Sequence, residues 1–292
     1  MSTPSVSFEF FPPGDEAMAG QLWQSIQRLA PLQPKFVSVT YGADGSTRTR
    51  THECVLRILR ETDLRVAPHL TCVGASRADV LGIAKDYWEQ GVRHLVALRG
   101  DAPPANLVEG RYRPHADGFA YASDLVAGLA GLSDFDLSVA AYPEGHPESG
   151  SVDADLQNLK RKVDAGAKRA ITQFFFETDL FLRYRDRCAA AGIRASIVPG
   201  ILPVTRFPQM LRFAARCGAS VPDWLRARFD GLDDDPETRR MIAASVAIEQ
   251  VQRLRQHGVD EFHFYTLNRA ELAYAICHAL GIRPRSRETR AA

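Results

Sequence analysis

The stretch Ser5-Val6-Ser7-Phe8-Glu9-Phe10-Phe11-Pro12-Pro13 sets one carboxylate among aromatics, an expensive place for a charge. Strand alternation puts Ser5, Ser7 and Glu9 on one face and Val6, Phe8 and Phe10 on the other. Two prolines then stop the strand, because proline cannot donate to a ladder. Burial there raises the pKa of a carboxyl and makes Glu9 a proton donor near neutral pH; the alternative is a strand-end glutamate facing water. His69, ahead of Leu70-Thr71-Cys72, is either a structural histidine or a ligand contact, and no second histidine stands at zinc spacing. In Arg99-Gly100-Asp101 the glycine lets the backbone approach a ligand, whereas the plainer reading is a turn with a local ion pair. Asp155, Asn158, Arg161 and Lys162 recur at helical spacing, opposite Leu156, Leu159 and Val163. That row is a solvated face or a groove for a polyanion, with the two cations on phosphates. Gln173 precedes Phe174-Phe175-Phe176, which are core or a stacking wall for a flat ring. Asp233-Asp234-Asp235-Pro236 reads as an acidic helix start rather than a metal site.

Strand and helix patterns alternate along the whole chain to position these groups. Strands are expected at 5–10, 35–41, 65–71, 93–99, 136–142, 169–174, 194–199 and 261–265, with helices between them. Ser76, Ser151 and Asp235 supply helix starts, and Gly91, Gly166 and Gly192 supply ends. Residues 100–120 read as one long loop, and 205–229 as short helices. Eight such units without a linker predict an α/β fold, a single (β/α)8 TIM barrel over residues 1–292 with a polar tail from about 283. A doubly wound sheet is the competitor, but neither a Gly-x-Gly-x-x-Gly nor a Walker loop is present. In a barrel, functional groups gather where strands end at their carboxyl termini. Glu9, Thr40 with Tyr41, His69, Arg99 with Asp101, Tyr142, Gln173 and Asn268 all fall there. If Glu9 points inward, the same phase sets Ser38-Thr40, Ala67-His69, Ala97-Arg99 and Ala140-Tyr142 inward too, small residues beneath polar ones, leaving room for a large ligand.

The totals restrict the setting. A net charge of +1 over 292 residues gives no support for a nucleic-acid or membrane partner, and no apolar run is long enough to span a bilayer. The five cysteines are scattered without metal or redox spacing and read as reduced thiols of a cytoplasmic protein. Met1-Ser2-Thr3-Pro4 lacks the pattern of a signal peptide. By chemistry alone, the chain is a barrel enzyme with one buried acid, a basic groove and aromatic walls, suited to a nucleotide cofactor and a flat substrate.

Nine segments together make a more specific pattern. Phe8-Glu9-Phe10-Phe11-Pro12-Pro13, Val37-Ser38-Val39-Thr40-Tyr41-Gly42, His69-Leu70-Thr71-Cys72, Ala97-Leu98-Arg99-Gly100-Asp101 and Ala140-Ala141-Tyr142-Pro143-Glu144 are five of them. Asn158-Leu159-Lys160-Arg161-Lys162, Thr172-Gln173-Phe174-Phe175-Phe176, Pro199-Gly200-Ile201-Leu202-Pro203 and Phe264-Tyr265-Thr266-Leu267-Asn268-Arg269 complete the series. In this order they resemble the methylenetetrahydrofolate reductase family, specifically its bacterial single-domain type. The resemblance implies a barrel carrying non-covalent FAD, reduced by NADH or NADPH, which then reduces methylenetetrahydrofolate to methyltetrahydrofolate by ping-pong hydride transfer for methionine biosynthesis. It implies Glu9 as the general acid and Asp101 as the carboxylate near the flavin and the pterin. Flavin contacts carry over to Tyr41, Ala43, His69, Arg99, Gly100, Asp101, Ala122, Tyr142, His146, Asp155, Asn158, Arg161 and Lys162, and a nicotinamide contact to Thr40. Folate contacts carry over to Asp101, Gln173, Gln209, Phe213 and Arg269. No metal is implied; a homo-oligomer is, whereas the regulatory domain of eukaryotic members is not expected here. The stretch 102–120 is longer than the bacterial pattern. Two rivals remain at this point: another flavin barrel that oxidises an amino acid such as proline, and a non-catalytic folate- or flavin-binding module.

Overall fold

The computed structural model describes residues 3–41, 48–102, 107–108 and 111–285. Nine parallel segments form one sheet. Two of them, Ser196–Val198 and Gly200–Ile201, are halves of one strand on either side of Pro199. Pro199 has no N–H for the ladder, but its carbonyl accepts from His263 N at 3.0 Å. We number the strands β1 (Ser5–Phe10), β2 (Phe36–Val39), β3 (Val66–Thr71), β4 (His94–Leu98), β5 (Asp136–Ala141), β6 (Arg169–Thr172), β7 (Ser196–Ile201) and β8 (Glu261–Tyr265). The first half of β7 pairs with β6 and the second with β8, which pairs with β1, so the sheet closes into the expected barrel.

Helices α1 (Glu16–Leu29), α2 (Arg48–Glu61), α3 (Arg77–Glu89), α4 (Ala122–Leu132), α5 (Val152–Asp164), α6 (Thr178–Ala190), α7 (Phe207–Cys217), α8 (Asp223–Phe229), α9 (Pro236–Gln256) and α10 (Glu271–Ala279) complete the chain. Their starts follow the sequence: Ser76, Ser151 and Asp235 accept from Asp79 N, Ala154 N and Thr238 N. The acidic run at 233–235 is thus a helix cap. The main core lies between strands and helices and holds Val6, Phe8 and Phe10 with Leu22, Ile26 and Phe264. A second apolar cluster is separate: Phe174, Phe176, Leu202, Met210, Leu225 and Phe229 pack α7 and α8 over the carboxyl end of the barrel.

Two expectations are corrected. Residues 100–120 are not all loop, because Leu107–Val108 pairs antiparallel with Arg111–Tyr112. In β4 the inward side chains are His94, Val96 and Leu98, while Ala97 faces the helices. One residue of phase reverses every side chain of a strand, so Ala97 does not lie beneath Arg99 inside the barrel. Among the described residues no helix is long and apolar enough to cross a membrane.

The lower interior is polar rather than filled with branched residues. Buried Arg169 donates to Glu261 at 3.0 Å, to Asp136 at 3.3 Å and to Ser138 Oγ at 3.2 Å. His94 Nε2 lies 2.8 Å from the same hydroxyl, and the Phe36 ring stands edge-on to His94 at 4.4 Å. This network fills the amino-terminal end of the barrel interior.

Candidate active site

Glu9 does point into the barrel. Its backbone is set by β8: Thr266 Oγ1 donates to Glu9 O at 2.6 Å. Just beyond, Asn268 Oδ1 accepts from Phe11 N at 2.8 Å, and its Nδ2 donates to Phe11 O at 2.9 Å. Leu267 and Asn268 take φ of 50° and 56°, the left-handed region that asparagine tolerates better than most residues. Asn268, expected as one of the polar strand ends, is therefore a clasp that fixes where β1 stops.

Two histidines reach the same Glu9 oxygen. His69 Nε2 lies 3.3 Å from Oε2 and His263 Nε2 3.6 Å from it, with 12% of the Glu9 side chain exposed. Each contact is an ion pair only when its histidine carries the second proton, and neither buried Nε2 makes a hydrogen bond of good geometry. His263 is fully buried, and its Nδ1 lies 2.8 Å from Ser7 Oγ. Burial pulls the Glu9 pKa upward, but His263 and His69 outweigh it and hold the carboxyl at about 2. The expected rise by burial is thus reversed, and Glu9 is ionised at neutral pH. Tyr265 completes this pocket; burial, then the Glu9 charge, pushes its phenol well above the usual value. Its ring lies 5.4 Å from His263 and its hydroxyl donates to Thr172 O at 2.7 Å.

Charged groups of both signs stand farther round the rim, past Tyr265 and Tyr142. Lys162 donates to Ala140 O at 2.9 Å and lies 5.9 Å from the centre of the Tyr142 ring. Burial depresses its pKa to about 8, with buried Asp155 opposing the change. Burial raises the pKa of Asp155, which accepts from Ser149 Oγ at 3.1 Å. His146 stands edge-on to Tyr142 at 4.6 Å. Burial lowers the His146 pKa, and Arg99 and Lys162 both act on it in the same direction. Arg161, exposed on α5, donates to Asn158 Oδ1 and its charge acts on Lys162. Gly100 takes φ of 89°, a conformation that glycine alone adopts without strain. Asp101 is exposed beyond β4, and its charge acts on Tyr142 and Cys217. Thr40 and Tyr41 follow β2, with Thr40 N donating to Phe10 O at 2.9 Å. Ala122 is buried at the start of α4. Ala43 lies outside the described residues.

On the remaining side, Gln173 Oε1 accepts from Phe174 N at 3.0 Å and lines a crevice with Tyr142, Glu144 and Cys217. Phe213 of α7 stacks on Phe174 at 5.3 Å and 18°. The aromatic triplet is core: Phe174 and Phe176 belong to the α7–α8 cluster, and Phe175 stacks on Phe181 at 5.1 Å. Gln209 and Arg269 are exposed. No group of three or more His, Cys, Asp or Glu among the described residues could hold a metal ion.

Sequence reading missed four residues here. His263 and Tyr265 share the inward phase of β8, a signal present in the alternation Phe262-His263-Phe264-Tyr265. Tyr112, whose ring centre lies 4.8 Å from the Arg99 guanidinium, belongs to a two-residue strand, and Glu148, bonded to Arg99, to a loop; both are too short or irregular for periodicity to place.

The family model described as Methylenetetrahydrofolate reductase matches residues 1–281. A 5,10-methylenetetrahydrofolate reductase of Pectobacterium carotovorum is 58% identical over 280 residues, covering 96% of this chain and 91% of that one. One of Escherichia coli K12 is 56% identical, covering 96% and 92%. Among solved structures, a Clostridium thermocellum protein that binds 5-methyl-5,6,7,8-tetrahydrofolic acid superposes with a TM-score of 0.63 at 13% identity, covering 96% of this chain and 95% of that one. At that identity the likeness concerns the fold alone. With matches of this extent to its sequence, and Glu9 inside the barrel mouth, the chain belongs to the methylenetetrahydrofolate reductase family.

Proposed function

We propose that this chain reduces 5,10-methylenetetrahydrofolate to 5-methyltetrahydrofolate with NADH or NADPH, through non-covalent FAD, in a ping-pong sequence that supplies methyl groups for methionine. The observation that carries the reading is Glu9, an inward carboxylate contacted by two histidines, at the rim where Arg99 and Lys162 also stand. That rim suits a dinucleotide. Lys162 is half-buried with a carbonyl as its hydrogen-bond partner, a donor set that a phosphate would complete. Tyr142, His146, Arg99, Asn158, Arg161 and Lys162 would hold the FAD, with Gly100 allowing close approach. Bound there, FAD supplies the hydride-carrying centre that takes hydride from the nicotinamide and later gives it to the folate. Five unpaired thiols support a reducing compartment such as the cytoplasm. The homo-oligomer stays part of this reading.

The chain's own residues then manage one proton. The folate ring must open before it can accept hydride, and its leaving nitrogen needs a proton to do so. Ionised Glu9 is not the standing donor at neutral pH; it is the last acceptor in a relay. A proton on His69 or His263 Nε2 crosses to Glu9 Oε2 and on to the nitrogen, leaving the histidine neutral. When that proton comes from His263, the ring keeps the proton on Nδ1, and Ser7 Oγ, 2.8 Å away, accepts from it before and after the transfer while its own hydrogen points to Phe262 O at 3.4 Å. Gln173, Asp101, Gln209, Phe213 and Arg269 are the folate contacts in this reading.

The test separates the half-reactions. Glu9→Gln keeps the shape and removes the relay terminus. Anaerobic NADH should still bleach the flavin, while reoxidation by methylenetetrahydrofolate should slow about 10²- to 10⁴-fold. Equal loss in both half-reactions would make Glu9 structural, and turnover with proline but not the folate would transfer the chain to a different flavin chemistry.

A further inference from the structure

Arg99 holds an anion that the chain itself provides. Its Nη1 and Nη2 donate to the two carboxylate oxygens of Glu148 at 2.5 and 2.8 Å, and its Nε donates to Gly100 O at 3.0 Å. The Tyr112 ring lies 4.8 Å from the guanidinium carbon. The pair is asymmetric in exposure: 16% for the Arg99 side chain and 54% for that of Glu148. The cation is thus built into the rim, whereas the carboxylate reaches in from the 142–150 loop. A bidentate carboxylate on a guanidinium has the fork geometry that a phosphate also satisfies. The other charges acting across this rim are Lys162, Arg161 and His146, cationic or able to become so on protonation, and the acids Asp155 and Asp101.

We propose that Glu148 is an internal stand-in for a phosphate, neutralising Arg99 until the diphosphate of a dinucleotide displaces it. The inference rests on the FAD reading above and adds a residue that governs how tightly that cofactor is held. While no diphosphate is bound, Glu148 offsets the cost of a largely desolvated guanidinium. When the diphosphate binds, Arg99 exchanges one bidentate partner for another, and the affinity gained is the difference between the two. The released carboxylate, already half in water, returns to solvent at little cost.

Removing the competitor should therefore tighten FAD and leave phosphate-free flavin alone. Flavin-free wild type and Glu148→Gln are titrated with FAD and with riboflavin by fluorescence quenching, and urea unfolding of each flavin-free protein checks that the variant is folded. The expected result is a Kd for FAD lowered about three- to tenfold in the variant with no change for riboflavin. Glu148→Asp, one methylene shorter, should move the FAD Kd in the same direction. An unchanged or raised Kd for FAD, or an equal change for riboflavin, overturns the proposal. If wild type takes up no FAD, the cofactor reading fails and the proposal with it, whereas wild-type binding with no effect of Glu148→Gln sinks the proposal alone.

Discussion

His263→Asn tests the electrostatics of Glu9 directly. Asparagine can keep a polar atom near the place of Nδ1, facing Ser7 Oγ, while deleting the Nε2 that stands 3.6 Å from Glu9. Burial, the largest single influence on this carboxyl, remains and acts upward; one of the two opposing histidines is gone. A carboxyl held at about 2 rather than 4.5 favours its charged form by roughly 3 kcal/mol. If the pKa returned to 4.5, the protonated fraction at pH 7 would rise from about one in 10⁵ to about one in 300. The native pKa is depressed relative to the unfolded chain. Its stabilising contribution is therefore present above pH 4.5 and is lost as pH falls from 4.5 towards 2. His263→Asn should remove roughly half of it, about 1–2 kcal/mol at pH 7 in urea unfolding, and the loss should shrink as pH approaches 3. Infrared titration of the folded proteins gives the second readout: the protonated carboxyl band of Glu9, assigned by its absence from Glu9→Gln, should appear at a higher pH in the variant. A Glu9 midpoint that stays near 2 would refute the reasoning and assign the depression to His69 and the barrel backbone.

Three further outcomes follow from other contacts. Asn268→Ala leaves the N–H and C=O of Phe11 without their side-chain partner, so it should cost about 2–3 kcal/mol in urea unfolding and slow folate-dependent flavin reoxidation more than NADH-dependent bleaching. Lys162 has a native pKa of about 8, below its usual 10.5, so the charged lysine destabilises the flavin-free fold below pH 8 and the penalty fades between pH 8 and 10.5. Lys162→Met should accordingly stabilise the flavin-free protein by roughly 1–2 kcal/mol at pH 7 while weakening FAD binding, measured by melting and by fluorescence. Arg169→Met strips the cation from the network at the amino-terminal end and leaves Asp136 and Glu261 facing each other's field, with Glu261 retaining Lys35 at 2.8 Å; a loss of about 3 kcal/mol in urea unfolding, larger at low salt, is expected.

The sequence by itself determined the barrel, the helix starts and the identity of most rim residues. Periodicity and capping are local properties: Ser76, Ser151 and Asp235 cap helices through atoms three residues away, and Glu9 faces inward because alternation along β1 leaves Val6, Phe8 and Phe10 to the helices. What it could not determine depends on distance through space. The sign of the Glu9 pKa was decided by His263, some 250 residues later, and by His69, which closure of the barrel brings to the same oxygen. The phase of β4 was decided by its register with β3 and β5 rather than by its own residues, since Val96, Ala97 and Leu98 are apolar whichever way they turn. Arg99 could have been read from sequence as a free cation or as paired with the neighbouring Asp101; the fold instead gives it Glu148 from another loop. The sequence therefore named the acid and the cations, and the tertiary structure set their charge and their partners, because burial and ion pairing are sums over neighbours that only the closed barrel assembles.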